Sequence, residues 1–165
     1  MAESIAEQIM VALQAKLAGI VADGGATYWY TPEKVARYFE FSDKVIARQY
    51  AAYFVMVPDD MEAVEEPSFI VREDMSVDIA GLVRIDQGVE DPFDPDSSIP
   101  LRNTVQHRIL RDAKRALRQD VSLGGLAENV MIPTSELGPE RTYLDGWALV
   151  FMRVVVEFSY DRNLP

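Results

Sequence analysis

Side chains suited to bond-making chemistry are few in this chain. His107 is the single histidine, and cysteine is absent. A histidine acting as a general base usually has a nucleophile beside it and a third group that orients it. No local partner of that kind accompanies His107, and a place on the charged side of a helix explains the residue equally well. The sequence therefore predicts a protein that is not an enzyme.

Two glycine pairs and one acidic segment are the remaining candidates for a ligand site. The pairs Gly24-Gly25 and Gly124-Gly125 lack the lysine and hydroxyl residue of a P-loop, so both are interpreted as helix terminators. The aspartates Asp91, Asp94 and Asp96 are spaced as oxygen ligands of calcium can be, but the later glycine and glutamate of a calcium loop are missing. We interpret this segment as a solvated acidic loop and expect no metal and no cofactor.

Basic residues form the most distinctive charge pattern of the sequence. They recur at helical spacing, so they are predicted to share one face of a helix. Asp112 is the only acidic residue among them and is expected to offset part of their charge. In a chain of net charge -11, such a face could meet an acidic surface of another subunit, and an ordinary solvated helix face is the alternative. The row comprises His107, Arg108, Arg111, Lys114, Arg115 and Arg118.

Two amphipathic helices are predicted to position these residues. The first covers residues 4–22, because Ser4 and Glu7 form a capping box and apolar residues follow at helical spacing. The second runs from Arg102 to Gln119 and places the basic row opposite an apolar stripe. That stripe consists of Val105, Ile109, Ala113, Ala116 and Leu117. The first helix also has a second stripe, either a contact for a neighbour or a solvated face, made of Val11, Ala15, Ala18 and Ala22.

The rest of the pattern predicts strands joined by polar loops. Strands are expected at Thr27–Tyr30, Val35–Phe41, Tyr53–Val57, Met75–Ile85, Asn129–Ile132 and Trp147–Tyr160. Loops are expected at Asp59–Glu66, Gln87–Pro100 and Pro133–Tyr143. The order of helix, strands, helix, strands predicts an α+β fold with a single mixed or antiparallel sheet. Its two main helices pack on one face, in one domain spanning residues 1–165.

Composition places the chain among soluble globular proteins. Apolar residues make up 48% and charged residues 26%, and 165 residues suffice for one hydrophobic core. No uncharged apolar run is long enough for a bilayer, and no basic flank of a secretory leader is present. The absence of cysteine fits synthesis in a reducing cytoplasm. The net charge of -11 disfavours general attraction to DNA or to anionic membranes.

Four segments in order carry a resemblance to a known family. They are Tyr28–Val35, the basic helix around Gln106–Leu117, the segment Leu123–Ala127 that reads Leu-Gly-Gly-Leu-Ala, and the β-rich final run. Together they resemble the tail terminator and minor tail proteins of long-tailed bacteriophages. The resemblance covers most of the chain, and the helix followed by Leu-Gly-Gly-Leu and a long last strand is its most specific part. These proteins have no catalytic signature, so no active-site residues are implied.

The resemblance implies a structural virion protein of the tail neck, made in the host cytoplasm. Such a subunit forms a ring, typically a hexamer, on the last ring of the tail tube, stops tube growth and offers a surface for joining to the head. Its implied partners are further copies, the tail tube protein and the head–tail connector or neck proteins. DNA passes through the lumen without specific binding, and no membrane is involved. Another neck or head-completion protein is the closest alternative.

A closed ring needs two different patches on each subunit. We predict that Arg108, Arg111, Lys114, Arg115 and Arg118 form one of them. The acidic segment Asp59–Glu66 is one candidate for the other, and the second candidate is the loop containing Asp91, Phe93, Asp94 and Asp96. A function of a different class, a small enzyme or ligand-binding domain, would use a pocket near Trp29, Tyr30 and the Asp91–Asp96 loop.

Overall fold

One mixed sheet with two helices on one face organises the described parts of the chain. The structure is a computed structural model and describes residues 4–38, 49–64, 70–85, 102–138 and 146–161. Its elements are α1 (Ile5–Ala18), β1 (Lys34–Arg37), β2 (Ala52–Val64), β3 (Ile70–Arg84), α2 (Arg102–Arg118), a 3₁₀ turn (Leu123–Gly125), β4 (Asn129–Leu137) and β5 (Trp147–Asp161). The strand order is β1-β2-β3-β5-β4. β1 is parallel to β2 and the other neighbours are antiparallel, which confirms the predicted α+β fold.

Helix α1 begins as predicted and ends early. The Ser4 side chain accepts a hydrogen bond from the Glu7 N–H at 3.2 Å, which satisfies a donor of the first turn. The helix ends at Ala18 rather than at residue 22, and Gly19 caps it through its backbone N–H. The prediction that Gly24-Gly25 ends the helix is wrong, since both glycines lie in the following turn with positive φ. The second apolar stripe is exposed at Val11, Ala15, Ala18 and Ala22.

The segment predicted as a first strand is a loop. Thr27–Tyr30 forms no strand, because its backbone donors are bonded to side chains instead of to a neighbouring strand. The Asp23 carboxylate accepts from the N–H groups of Thr27 at 2.7 Å and Tyr28 at 2.9 Å. Of the second predicted strand, Val35–Arg37 is confirmed within β1, which begins at Lys34, whereas Tyr38 lies beyond the strand. The rest of that prediction, to Phe41, lies outside the described residues.

Strand β2 extends well past its predicted end. Pro58 was expected to terminate the strand, yet β2 continues to Val64 across a register shift between Pro58 and Met61. A bulge accommodates proline because the extra residue leaves the regular hydrogen-bond ladder. The predicted loop Asp59–Glu66 is therefore strand over most of its length.

Strand β4 is the edge strand next to β5 and is also longer than predicted. It passes through Pro133 and ends at Leu137, with a register shift between Met131 and Thr134. Proline is tolerated there, because the outer side of an edge strand has no neighbour that needs its N–H. The part of the predicted Pro133–Tyr143 loop up to Leu137 is therefore strand.

Alternation along the strands gives the sheet two distinct faces. The core face packs against both helices through residues such as Phe54, Ile79 and Val150. The outer face, on the other side of the sheet, has its own cluster around Tyr53, Leu82 and Trp147. The predicted strands Met75–Ile85 and Trp147–Tyr160 are confirmed as most of β3 and β5. In the described segments, no helix has the length and apolar character needed to cross a bilayer.

Candidate interaction surface

Helix α2 carries the predicted basic row on its outward side. The apolar stripe of Val105, Ile109 and Leu117 is buried against the sheet, as predicted. The opposite side is exposed, and we name it the basic face. Its arginines make no hydrogen bond or ion pair with the described part of the chain, so their charges are available to a partner. The basic face consists of His107, Arg111, Arg115 and Arg118.

Two predicted members of the basic row are held by neighbouring elements. The Lys114 ammonium donates to the Ser135 hydroxyl of β4 at 2.7 Å. The Arg108 guanidinium lies 3.8 Å from the centre of the Trp29 ring, which is a cation–π contact. These contacts fix the two flanks of α2, one against β4 and the other against the loop that contains Trp29. Arg108 and Lys114 thus border the basic face and hold it in place.

Asp112 lies on the inner side of the helix. It is only 1% exposed, so it does not share the exposed side of the helix with the basic residues, although the charge of Arg111 still lowers its pKa. Its Oδ2 accepts hydrogen bonds from the backbone N–H groups of Trp29 at 2.7 Å and Tyr30 at 3.0 Å, while Oδ1 has no hydrogen-bond partner among the described residues. Burial raises the pKa of Asp112, and the two N–H donors act in the opposite direction. Asp112 therefore fastens the loop to α2.

Half-buried aromatic residues extend this surface on one side of α2. The Tyr28 hydroxyl accepts a hydrogen bond from Gln119 at 2.9 Å, and Trp29 lies under Arg108. Gly25 makes room for the indole, because a Cβ at that position would overlap the Trp29 ring. Burial raises the pKa of Tyr30, while Arg108 beside it lowers that pKa. Tryptophan, tyrosine and arginine are the residue types most enriched at the centres of protein interfaces.

Neither a known protein-family model nor a curated protein sequence matches this chain. The role of this surface is therefore inferred from the chemistry of its residues. His107 is exposed, and in the described segments no group of three or more histidine, aspartate and glutamate side chains is arranged to hold a metal ion. Helix α2 and the aromatic residues beside it present positive charge and planar apolar surface to a ligand.

Two acidic segments were predicted as binding surfaces for the basic residues, and the structure describes only part of them. The loop residues Asp91, Phe93, Asp94 and Asp96 lie outside the described residues. In the other candidate segment, Asp59 is already neutralised by Arg153 of β5, whose Nη2 lies 2.7 Å from the Asp59 carboxylate. Arg153 also forms a bidentate pair with Asp78 at 2.8 and 2.9 Å. Asp59 is thus part of an ion-pair cluster on the outer face of the sheet.

The Asp112→Asn variant tests the buried carboxylate through the pH dependence of stability. A carboxyl whose pKa is raised on folding binds more protons in the native state at pH values between its unfolded and folded pKa. Stability therefore falls as pH rises above the ordinary value of 3.8 through that window. The variant has no such titration, so we expect its stability to lack this fall. Urea unfolding of both proteins from about pH 4 to about pH 7 measures it.

A matched control is Asp120→Asn. Hydrogen bonds from Ser122 and Gly124 lower the pKa of Asp120 to about 2, so its stabilising effect is lost as pH falls below 3.8. This control should differ from the parent protein in its dependence on pH below that value, and not above it. Parallel curves for the parent protein and Asp112→Asn above about pH 4 would contradict the assignment.

Proposed function

We propose that this protein is a structural subunit of a bacteriophage tail, a tail terminator that assembles as a ring on the end of the tail tube. The ring stops tube growth and provides the surface to which the head joins. The observation that carries the proposal is the basic face, in which Arg111, Arg115 and Arg118 are exposed and make no ion pair with a described residue, in a chain of net charge -11. A head–tail connector or other neck protein would use the same surface and is the second candidate.

The construction of α2 supports a binding role for its outer side. Arg111 and Arg115 are one helical turn apart, and like charges at that spacing destabilise a helix by about 0.2–0.5 kcal/mol. An acidic partner would turn this repulsion into attraction. The helix is held on both flanks by Arg108 and Lys114, so its backbone is already ordered before a partner binds.

The negative net charge supports a central channel through which DNA passes without being bound. A field summed over a net charge of -11 repels phosphate, which lets DNA move past without specific contacts. In a ring whose basic faces are buried between subunits, those faces are not accessible to DNA. The proposed ring therefore combines tight subunit interfaces with a lumen that does not bind DNA.

Reversing two charges on the basic face is expected to abolish ring assembly. In Arg111→Glu/Arg115→Glu, the face that should attract an acidic neighbour repels it, and like-charge contacts at an interface cost several kcal/mol. Sedimentation velocity should show the parent protein as a ring that dissociates at high salt, and the variant as a monomer. When the tail tube protein polymerises in the presence of either protein, only the parent should cap and shorten the tubes seen by electron microscopy.

The matched control compares Arg115→Glu with Lys34→Glu, which makes the same charge change at an exposed position on β1. Both should keep the circular dichroism spectrum of the parent, and only Arg115→Glu should weaken assembly. A parent protein that stays monomeric and leaves tube growth unchanged would end the proposal. A double variant that still forms rings would remove the basic face from it.

A further inference from the structure

A groove of about 400 Å³ lies along the exposed side of α2. Five side chains that carry or can carry positive charge line it, together with Leu110, which is 9% exposed. Its volume is near the lower end of the range for ligand sites, so the groove accommodates a short segment of chain and not a folded surface. We name it the α2 groove. Its described lining residues are His107, Leu110, Arg111, Lys114, Arg115 and Arg118.

The charges of the α2 groove are not neutralised by the part of the chain that the structure describes. Arg111, Arg115 and Arg118 are exposed and form no ion pair or hydrogen bond with a described residue. The Lys114 ammonium donates to the Ser135 hydroxyl at 2.7 Å, and this neutral partner fixes the ammonium without cancelling its charge. An anion that enters the groove therefore meets several cations, one of which is already held in position.

The spacing of these cations matches alternate residues of an extended chain. His107 and Arg111 are four residues apart on the helix, as are Lys114 and Arg118, which corresponds to a rise of about 6 Å. Side chains on one side of an extended segment recur every second residue, about 6.6 Å apart. From His107 to Arg118 the helix rises about 16 Å, the length of about five extended residues. A segment of that length, lying along the helix, can place acidic side chains beside successive cations.

Three observations favour a protein segment over a nucleic acid strand. Leu110 and the methylene stems of the arginines give the groove apolar surface, which an apolar side chain can cover and a phosphate backbone cannot. Single strands bind proteins by stacking bases on aromatic rings, but the Trp29 ring beside α2 is already in contact with Arg108 and Gly25. The net charge of -11 also repels a long polyanion more strongly than a short acidic segment.

We propose that the α2 groove binds an extended acidic segment of a partner protein. Alternate aspartate or glutamate side chains of that segment pair with the cations of the groove, and an apolar side chain of the same segment packs on Leu110. The inference rests on the proposed function for the identity of the partner, which in the ring is the neighbouring subunit. It adds the chemistry by which the basic face recognises that neighbour.

A short capped peptide tests the proposal directly. In the probe, aspartates alternate with leucines over five residues, and fluorescence anisotropy of an attached dye measures binding at low salt. The protein is diluted below the concentration at which it assembles. One matched peptide has asparagine in place of aspartate, and another has serine in place of leucine. The parent protein should bind the probe more tightly than the asparagine peptide by about tenfold or more, and than the serine peptide by about threefold or more.

Variants of the protein show whether the probe binds in the groove. Arg111→Gln/Arg115→Gln should weaken binding of the probe by about tenfold or more, because two cations are lost. Lys34→Gln removes an exposed charge on β1 and should change the affinity by less than about twofold. Circular dichroism spectra equal to that of the parent show that both variants are folded.

The unlabelled probe separates this inference from the proposed ring. In excess, and at constant ionic strength, the aspartate peptide should dissociate rings of the parent protein, whereas the asparagine peptide should not. Rings that persist in the aspartate peptide, although Arg111→Glu/Arg115→Glu prevents their assembly, would overturn the inference and leave the proposed function standing. Binding of the probe by a parent protein that stays monomeric at every concentration would end the proposed ring and support the groove.

Three further results would overturn the inference. The first is equal affinity of the parent protein for the aspartate and asparagine peptides, or for the leucine and serine peptides. The second is equal affinity of the parent and Arg111→Gln/Arg115→Gln for the probe. The third is tighter binding of a single-stranded oligothymidylate than of the probe, lost in the same variant, which would assign the groove to nucleic acid.

Discussion

Replacing Gly81 by valine is expected to destabilise the protein by about 3 kcal/mol or more, a large share of the roughly 5–15 kcal/mol typical of a domain. Gly81 lies in the middle of β3 on the core face. A Cβ at this position would come within 2.9 Å of the Phe54 ring, 3.0 Å of a Val150 methyl and 3.2 Å of a methyl of Ile109 on α2. Valine adds two more methyl groups to a space that is already filled. The packing of Ile109, Phe54 and Val150 around this position therefore requires a residue without a side chain.

A graded series makes the Gly81 prediction sharper. Gly81→Ala should cost about 1–2 kcal/mol, because overpacking outweighs the gain of about 0.4–1 kcal/mol from a less flexible unfolded chain. Gly19→Ala is the matched control, since it lies in the cap of α1 with φ -78 and should change stability by less than about 1 kcal/mol. Urea unfolding followed by tryptophan fluorescence measures all three. Equal midpoints for the parent and Gly81→Val would show that the core at this point is not tightly packed.

Replacing Gln106 by alanine is the second large effect, with an expected loss of about 2–4 kcal/mol. Gln106 is 3% exposed on the inner side of α2. Its side-chain amide donates to the Gly138 carbonyl at 3.1 Å and to the Leu149 carbonyl at 2.8 Å. Gln106 thus joins the helix to the ends of β4 and β5. Alanine would leave a cavity and remove a donor from both carbonyls.

Gln106→Met separates the two causes. Methionine fills nearly the same volume without a hydrogen-bond donor, so it should recover the part of the loss due to the cavity. The Leu149 carbonyl keeps a bond from the Gly138 N–H in either variant, so most of the remaining cost belongs to the Gly138 carbonyl. Midpoints of thermal unfolding should fall in the order parent, methionine, alanine. A Gln106→Ala protein as stable as the parent would show that water replaces the amide without cost.

Local patterns predicted the elements whose burial follows a simple period. α2 is the clearest case, because its five predicted core residues, among them Ile109 and Leu117, are all buried and its exposed arginines follow the predicted spacing. β5 is another, since valines and aromatics alternate along it. In each of these elements, a single repeat spacing along the sequence determines which side chains are buried in the core. Sequence alone therefore indicated the fold class and the position of the basic face.

Features that depend on contacts between distant segments were not predictable in this way. Asp112 has the spacing of a surface residue, and only the loop packed against it, with the N–H groups of Trp29 and Tyr30, explains its burial. The aromatic residues of that loop resemble a strand by composition, but Asp23 turns the chain instead. The facing of Asp74 and Glu157 arises from the register of β3 and β5, because these residues are far apart in sequence.

The interrupted edge strand β4 influences how this protein can aggregate or assemble. Pro133 and the register shift beside it prevent a regular hydrogen-bond ladder along β4, so the sheets of separate molecules do not easily pair at this edge. In the proposed ring, contact between copies would then depend on side-chain charge, which dissolved ions weaken reversibly. If the proposed ring forms, its assembly would therefore respond to ionic strength rather than grow by strand pairing along this edge.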